Sequence, residues 1–278
     1  MSTVTITAQD INKLRQATGA GMMDCRKALT ETNGDFEAAI DWLRKQGQKV
    51  AAKRSDKEAK EGVVLAKTSD DHSFGTVVCV SCETDFVAKN ADFISFVTSI
   101  SDASVANNVK STEELLEAEI NGMKVSELIN EKLATIGEKI GLTKFERVEA
   151  PFVSSYIHGA NRIGVLVGLN KEADEVGKNV AMQVAALSPV AVDAESVPEN
   201  IIAREKSVIM DIMKQDPKMA GKPEEMLAKI AEGKLGAFFK EQTLTAQAYV
   251  KDAAKSVGDY LKENGDVKVT EFKRVALG

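Results

Sequence analysis

Apolar positions recur at helical spacing from the N-terminus to about position 48. Ile11 and Leu14 follow Thr7, a good N-cap; Met22, Met23, Cys25, Ala28 and Leu29 follow a break at Gly19 and Gly21. Phe36, Ala39, Ile40 and Leu43 then keep the i, i+3, i+4, i+7 spacing behind Asp35. Three short helices over 1–48 are predicted, a unit too small to bury much surface alone. The stretch 49–61, "KVAAKRSDKEAKE", is dominated by charged side chains, which reads as a solvated helix or linker and as a domain boundary. From Gly62 the period falls to two: "GVVLAKTS" and "GTVVCVSC" flank "DDHSF" as two strands joined by a turn. Next, "NADFISFVTSISDASV" places Phe93, Phe96, Val97 and Ile100 on one helical face behind Asn90 as N-cap, and an acidic helical stretch fills 112–140.

The pattern then repeats. At a constant offset of 89, residues 74–99 and 163–188 share eight of 26 positions: Gly75/Gly164, Val78/Val167, Glu83/Glu172, Asp85/Asp174, Val87/Val176, Lys89/Lys178, Asn90/Asn179 and Ser99/Ser188. Two copies of one unit, a strand hairpin followed by a helix, are predicted, over 62–140 and over 141–192 with 236–278. Inside the second copy, 193–235 reads as an antiparallel helical hairpin: Ile201, Ile202, Ile209, Ile212 and Met213 form one stripe and Met226, Leu227, Ile230, Leu235 and Phe238 the returning one. Pro217, Gly221 and Pro223 turn the chain between them. A last helix (253–265) and a terminal strand (267–277) close the chain. The fold class is α+β: an N-terminal three-helix unit, a duplicated core with antiparallel strands, and a protruding arm.

The repeat bears on "CETDFVAKN" (82–90), where a phenylalanine stands in what should be a polar turn. What both copies share is what the fold needs: glycine in the hairpin, valine in the strand, asparagine at the cap. Where this copy has Thr84 and Phe86 the other has Ala173 and Glu175. A position that tolerates glutamate is not core, so Phe86 is predicted to be exposed and available to a partner. Asp85, shared with Asp174, has a local turn role.

Composition narrows the chemistry. The net charge is −6, which argues against a nucleic-acid surface; residues 1–60 carry 11 Lys+Arg against 8 Asp+Glu, too slight an asymmetry to change that. No apolar run is long enough to span a bilayer, and "MSTVTITAQD" lacks the basic and apolar regions of an export signal, so a cytoplasmic protein without membrane spans is expected. Three cysteines are too few for a disulfide scaffold. Cys79 and Cys82 form C-x-x-C, but inside a strand, where positions i and i+3 face opposite ways; neither redox nor zinc chemistry is expected. "GAGMMD" lacks the third glycine of a dinucleotide loop and follows a helix, and there is no P-loop. His72 reads as a solvated turn residue; for His158, a surface contact and a structural hydrogen bond stay open. Adjacent Met22 and Met23 cannot both point inward, so one is a candidate partner contact. With two histidines and no nucleophile–base signature, the chain reads as a binder and not as an enzyme; no metal or cofactor is expected.

"LRQATGAGMMDCRKALTETNGDFEAAIDWLR" (14–44), "CETDFVAKN" and "RIGVLVGL" (162–169) together closely resemble the bacterial elongation factor Ts family, the guanine nucleotide exchange factors of elongation factor Tu. The resemblance covers essentially the whole chain in order. It implies that 1–48 is a ubiquitin-associated-like (UBA-like) domain, with Leu14, Met22 and Met23 meeting a helix of the partner's GTPase domain and Val250 making a second contact there. It implies that His158 touches the partner's third domain. It further implies that the turn of Thr84, Asp85, Phe86 and Val87 wedges near the partner's magnesium and nucleotide phosphates and loosens GDP. Many members have glycine and proline where this chain has Ala246 and Ala248, and methionine at Lys251.

Two other readings remain beside it: an adaptor that binds without altering its partner's nucleotide state, and a thiol oxidoreductase using Cys79 and Cys82. Oligomeric state is open; the arm could support a homodimer inside a heterotetramer or project into solvent.

Overall fold

The computed structural model describes residues 5–54, 56–217 and 222–278. Two three-stranded antiparallel sheets lie face to face at its centre. In the first, β1 (Glu61–Thr68) and β5 (Gly141–Glu149) flank β2 (Phe74–Cys82); in the second, β6 (Phe152–His158) and β10 (Val269–Ala276) flank β7 (Ile163–Leu169). The long helices lie outside. On the first sheet α5 (Ala91–Ala106) and α7 (Val125–Ile136) cover Val63, Val78, Val80 and Cys82 with Phe93, Val97, Ile100, Ile129 and Leu133. On the second, α8 (Asp174–Leu187) and α11 (Val257–Glu263) cover Val165, Val167 and Leu169 with Val180, Val184, Val257 and Leu261. Between the sheets Val64, Ala66, Val77, Cys79, Val148, Val153, Leu166 and Val275 form a third cluster.

This layering explains why β2 and β7 read as almost unbroken apolar runs, since each is covered on both faces. It also explains the shared glycines. A Cβ on Gly75 would lie 2.7 Å from Leu166 and 3.1 Å from Val153; one on Gly164 would lie 2.9 Å from both Val77 and Val64. Shifting each residue by 89 turns the first set of contacts into the second, so the two copies play reciprocal roles in one interface. The shared glycine is therefore a sheet-to-sheet contact and not only a hairpin residue.

Helices α1 (Ala8–Thr18), α2 (Met22–Glu31) and α3 (Phe36–Lys53) form the N-terminal unit around Leu14, Cys25, Ala28, Leu29 and Ala39. Thr7 caps α1 in a reciprocal box with Asp10, and Gly19 ends it in the left-handed conformation at φ 67°. The unit docks through α3 on α7, where the Arg44 guanidinium lies 3.2 Å from the Glu131 carboxylate and Gly47 abuts Ala134.

Several boundaries move. α3 runs to Lys53, so the expected linker at 49–61 begins as helix. β5 pairs with β2, so 141–149 belongs to the first copy and not, as expected, to the second; the partner strand is too far away in sequence for local patterning to reveal. The stretch 112–140 is broken between α6 (Thr112–Glu117) and α7 by a small hairpin, β3 (Glu119–Ile120) with β4 (Met123–Lys124). The arm consists of α9 (Glu199–Gln215) and α10 (Glu224–Gln242), which runs past the expected end at 235. Its turn residue Gly221, and residues 1–4, lie outside the described residues. The expected last helix is a strand first: β9 (Asp252–Ser256) pairs with β8 (Ala248–Tyr249) before α11 begins. Among the described residues no helix is long and apolar enough to cross a membrane.

The interface between the sheets has little slack. Gly164→Ala should cost about 1–3 kcal/mol through overpacking against Val64 and Val77, whereas alanine at Gly233, which has nothing within 4 Å, should cost no stability. Urea unfolding of the two variants checks both.

Candidate partner-binding surface

Exposed large apolar side chains occur on the arm helices, Ile212 and Met226 among them, and at the positions singled out from the sequence. Phe86 is 84% exposed, Met23 75%, Met22 54% and Val250 46%. Water contact on that scale by a phenylalanine is unfavourable in the free protein, so the geometry that holds it there matters.

Phe86 sits in a one-turn helix, α4 (Asp85–Ala88), between the end of β2 and α5. Thr84 caps it, its hydroxyl accepting from the Val87 N–H. Asp85 pairs with Lys89 one turn on at 2.6 Å. Val87 and Ala88 pack inward against the first outer core, so Phe86 is the one fully outward residue of the four predicted. Thr84 and Val87 build the turn, and Asp85 stands half exposed beside its lysine.

The second copy keeps the same start. Asp174 opens α8 as Asp85 opens α4, and pairs with Lys178 at 2.7 Å. Glu175, at the Phe86 position, is exposed too, which agrees with the inference that this site lies outside the core. The copies then part at the shared asparagine. Asn90 leaves the helix with φ −70° and ψ 130°, and its Oδ1 accepts from the Asp92 and Phe93 N–H groups to start α5. Asn179 stays inside an unbroken α8, buried; its Nδ2 donates to Tyr260 Oη at 2.8 Å and its Oδ1 accepts from Lys251 Nζ at 2.6 Å. The expected common cap is thus corrected: one asparagine separates two helices, and the other ties the interior of a single helix to the C-terminal segment.

Thr18 and Gly19, at the end of α1, line the same open cleft as Phe86, together with Phe96, Leu128, Lys132 and Ile136. Met22 and Met23 begin α2 just beyond, with the buried face of that helix taken by Cys25, Ala28 and Leu29. Adjacency requires only one of the two methionines to face outward, and both do. Leu14 does not join them. It is 0% exposed, the centre of the three-helix core, and offers a partner no surface.

Val250 and His158 do not line that cleft. Val250 stands in the turn between β8 and β9, its N–H donating to Gln183 Oε1 at 2.8 Å, and Gln183 is itself wholly buried. His158 ends β6, exposed, with Tyr156 Oη 3.0 Å from its Nδ1, so it makes a local hydrogen bond and is also accessible at the surface. His72 is corrected. It is half-buried, stacked on Phe152 with ring centroids 4.6 Å apart, and its Nδ1 lies 2.9 Å from the Val153 carbonyl oxygen.

Two carboxylates that sequence reasoning missed hold the Phe86 turn. Glu138 accepts from the N–H groups of Glu83 and Thr84, and Glu83 accepts from the Lys139 N–H and from Arg54. The Lys139 N–H, with help from Arg54, keeps the Glu83 carboxyl below the usual glutamate range. Nothing local in the sequence signals these pairs, because Glu138 is distant along the chain from Thr84, and Arg54 from Glu83.

The cysteine chemistry is closed off. Cys79 faces the second sheet and Cys82 faces α5, as strand alternation requires, and Cys25 is in the three-helix core. Burial, with the Glu138 and Glu61 charges, pushes the Cys82 thiol up to about 12. Among the described residues no cluster of three His, Cys, Asp or Glu could hold a metal ion. All three thiols should stay unreactive toward a thiol-exchange reagent at pH 8 in the native chain and react fully in urea, a titration that also tests the oxidoreductase reading.

Comparison with known proteins places this surface in context. The family model described as Elongation factor TS matches residues 83–278, more than half of the chain. The elongation factor Ts of Christiangramia forsetii is 50% identical over 98% of this chain and 99% of its own. That of Flavobacterium psychrophilum is 46% identical over 99% of both. That of Methylococcus capsulatus is 41% identical over 99% of this chain and 93% of its own.

Proposed function

The chain belongs to the elongation factor Ts family, and on that premise we propose that it binds elongation factor Tu in its GDP form and promotes GDP release by inserting the Asp85–Phe86 turn near the partner's magnesium and nucleotide site. It makes and breaks no covalent bond. The observation that carries this reading is Phe86 itself: an aromatic ring 84% exposed on a turn with fixed backbone, at a position where the sister copy carries a glutamate.

The mechanism is one of linkage. A factor that binds the nucleotide-free partner more tightly than the GDP-bound one weakens GDP binding by the same factor. Burying one phenylalanine contributes about 1.5–3 kcal/mol, so even if all of that were differential it would supply about one to two decades in nucleotide affinity. Further contacts must hold the open state, and Met22, Met23, Val250 and His158 are exposed and available for them. Methionine suits the first of these, being unbranched and able to follow a partner's surface. Leu14 acts through the packing of α1 against α2 and not by touching the partner.

An adaptor would use the same methionines and histidine but has no use for a projecting ring at the turn. Release of a fluorescent GDP analogue from elongation factor Tu separates the two. The wild-type chain should accelerate release, and Phe86→Ala should lower the saturating rate by about one decade while leaving complex formation in place. Binding without acceleration by the wild type would leave the adaptor; equal rates for both chains would make Phe86 a bystander.

A further inference from the structure

The Phe86 ring stands at the rim of a cleft lined by Phe93, Phe96, Leu128 and Ile136, apolar surface on which a loose turn would let it collapse. The backbone leading into it is held by two carboxylates from separate stretches of the chain. Glu138 Oε2 accepts from the Glu83 N–H at 3.2 Å and the Thr84 N–H at 3.1 Å, while its Oε1 accepts from the Thr84 hydroxyl at 2.7 Å. In return Glu83 Oε1 accepts from the Lys139 N–H at 2.6 Å, and Arg54, just past the end of α3, grips both Glu83 oxygens at 2.8 and 3.0 Å. The same Thr84 hydroxyl that donates to Glu138 accepts from the Val87 N–H, so the carboxylate also fixes the rotor that caps α4. Hydrogen bonds to an ionised acceptor are the strong kind, and three on one carboxylate leave the turn little freedom.

We propose that Glu138 is a positioning residue for Phe86: with Glu83 it forms a reciprocal clamp that presents the ring outward before the partner arrives. This rests on the exchange reading above. A turn ordered in advance loses little conformational freedom on docking, and the interaction goes into opening the partner instead of ordering the factor. The sister copy differs at both clamped positions: Glu172, which matches Glu83, is exposed, and Ala173, at the Thr84 position, has no hydroxyl for a carboxylate to hold and makes no side-chain cap.

The test uses the full chain and GDP release from elongation factor Tu over a range of factor concentrations. Glu138→Ala should lower the saturating release rate about tenfold while the half-saturating concentration changes less than about threefold, since the other contacts are untouched. Glu138→Gln, which keeps one acceptor oxygen and the shape, should recover part of that rate. The double variant Glu138→Ala/Phe86→Ala should be no slower than Phe86→Ala alone, a non-additivity that a general loss of stability does not produce. Should Glu138→Ala fail to fold, Glu138→Gln carries the same cycle. An unchanged saturating rate, or losses that simply multiply, would overturn the positioning role alone. No acceleration by the wild-type chain would overturn the exchange reading and this role with it.

Discussion

The close approach of the two sheets is the constraint on which the rest of the molecule depends. Gly75 faces Leu166 and Val153; Gly164 faces Val77 and Val64. Neither position has room for a Cβ, so the two sheets come within reach only because each contributes a glycine at the matching place. The interface is built from both copies, and neither copy can bury that face alone. That is a physical reason for the duplication to be kept: a single sheet covered by one helix layer would expose Val64, Ala66, Val77 and Cys79 to water.

Once the sheets are paired, each outer face is free to differ. The strands had to stay alike, and they did: Val78 and Val167 are both buried against helices, and the edge strands pair at matching places, Val148 with Gly75 and Val275 with Gly164. The helices diverged instead. One is continuous and buries an asparagine that ties the C-terminal segment down; the other breaks at the equivalent asparagine and leaves a short turn carrying Phe86. The arm, α9 with α10, is inserted only in the second copy, before its last strand.

Much of this was legible because it is local. Helix caps at Thr7, Asn90 and Asp35 announce themselves within one turn, as do the strand runs around "DDHSF". The comparison of Phe86 with Glu175 was stronger than any propensity, since it measured what the fold tolerates at a single site. Two features were not legible, each for its own physical reason. The pairing of β5 with β2 and of β10 with β7 breaks the constant offset of 89, because the inserted arm lies between, so ungapped comparison missed the third strand of each copy. Asn90 and Asn179 look equivalent in sequence, and only Tyr260 and Lys251, far along the chain, decide that one lies inside a helix. Leu14 was expected at a partner only through the family resemblance, yet its place in the helical apolar pattern is a core position, and a three-helix unit this small has little else with which to fill its centre.

The division between what the fold needs and what it leaves exposed runs through the turn one residue at a time. Thr84 and Val87 face inward and hold, Asp85 and Lys89 repeat a pair found in the sister copy, and Phe86 alone faces out. A protein keeps such a ring in water only if folding it back onto nearby apolar surface, here Phe96 and Ile136, would cost more than the burial returns. The backbone restrains it: charge-assisted bonds at Glu83 and Thr84 hold the turn from which the ring projects. The same rigidity reaches the N-terminal unit, since Arg54 just past α3 closes on Glu83 and Arg44 closes on Glu131. The methionines of α2 and the ring of α4 are thus carried on one connected frame, which sets the height of Phe86 relative to the methionines.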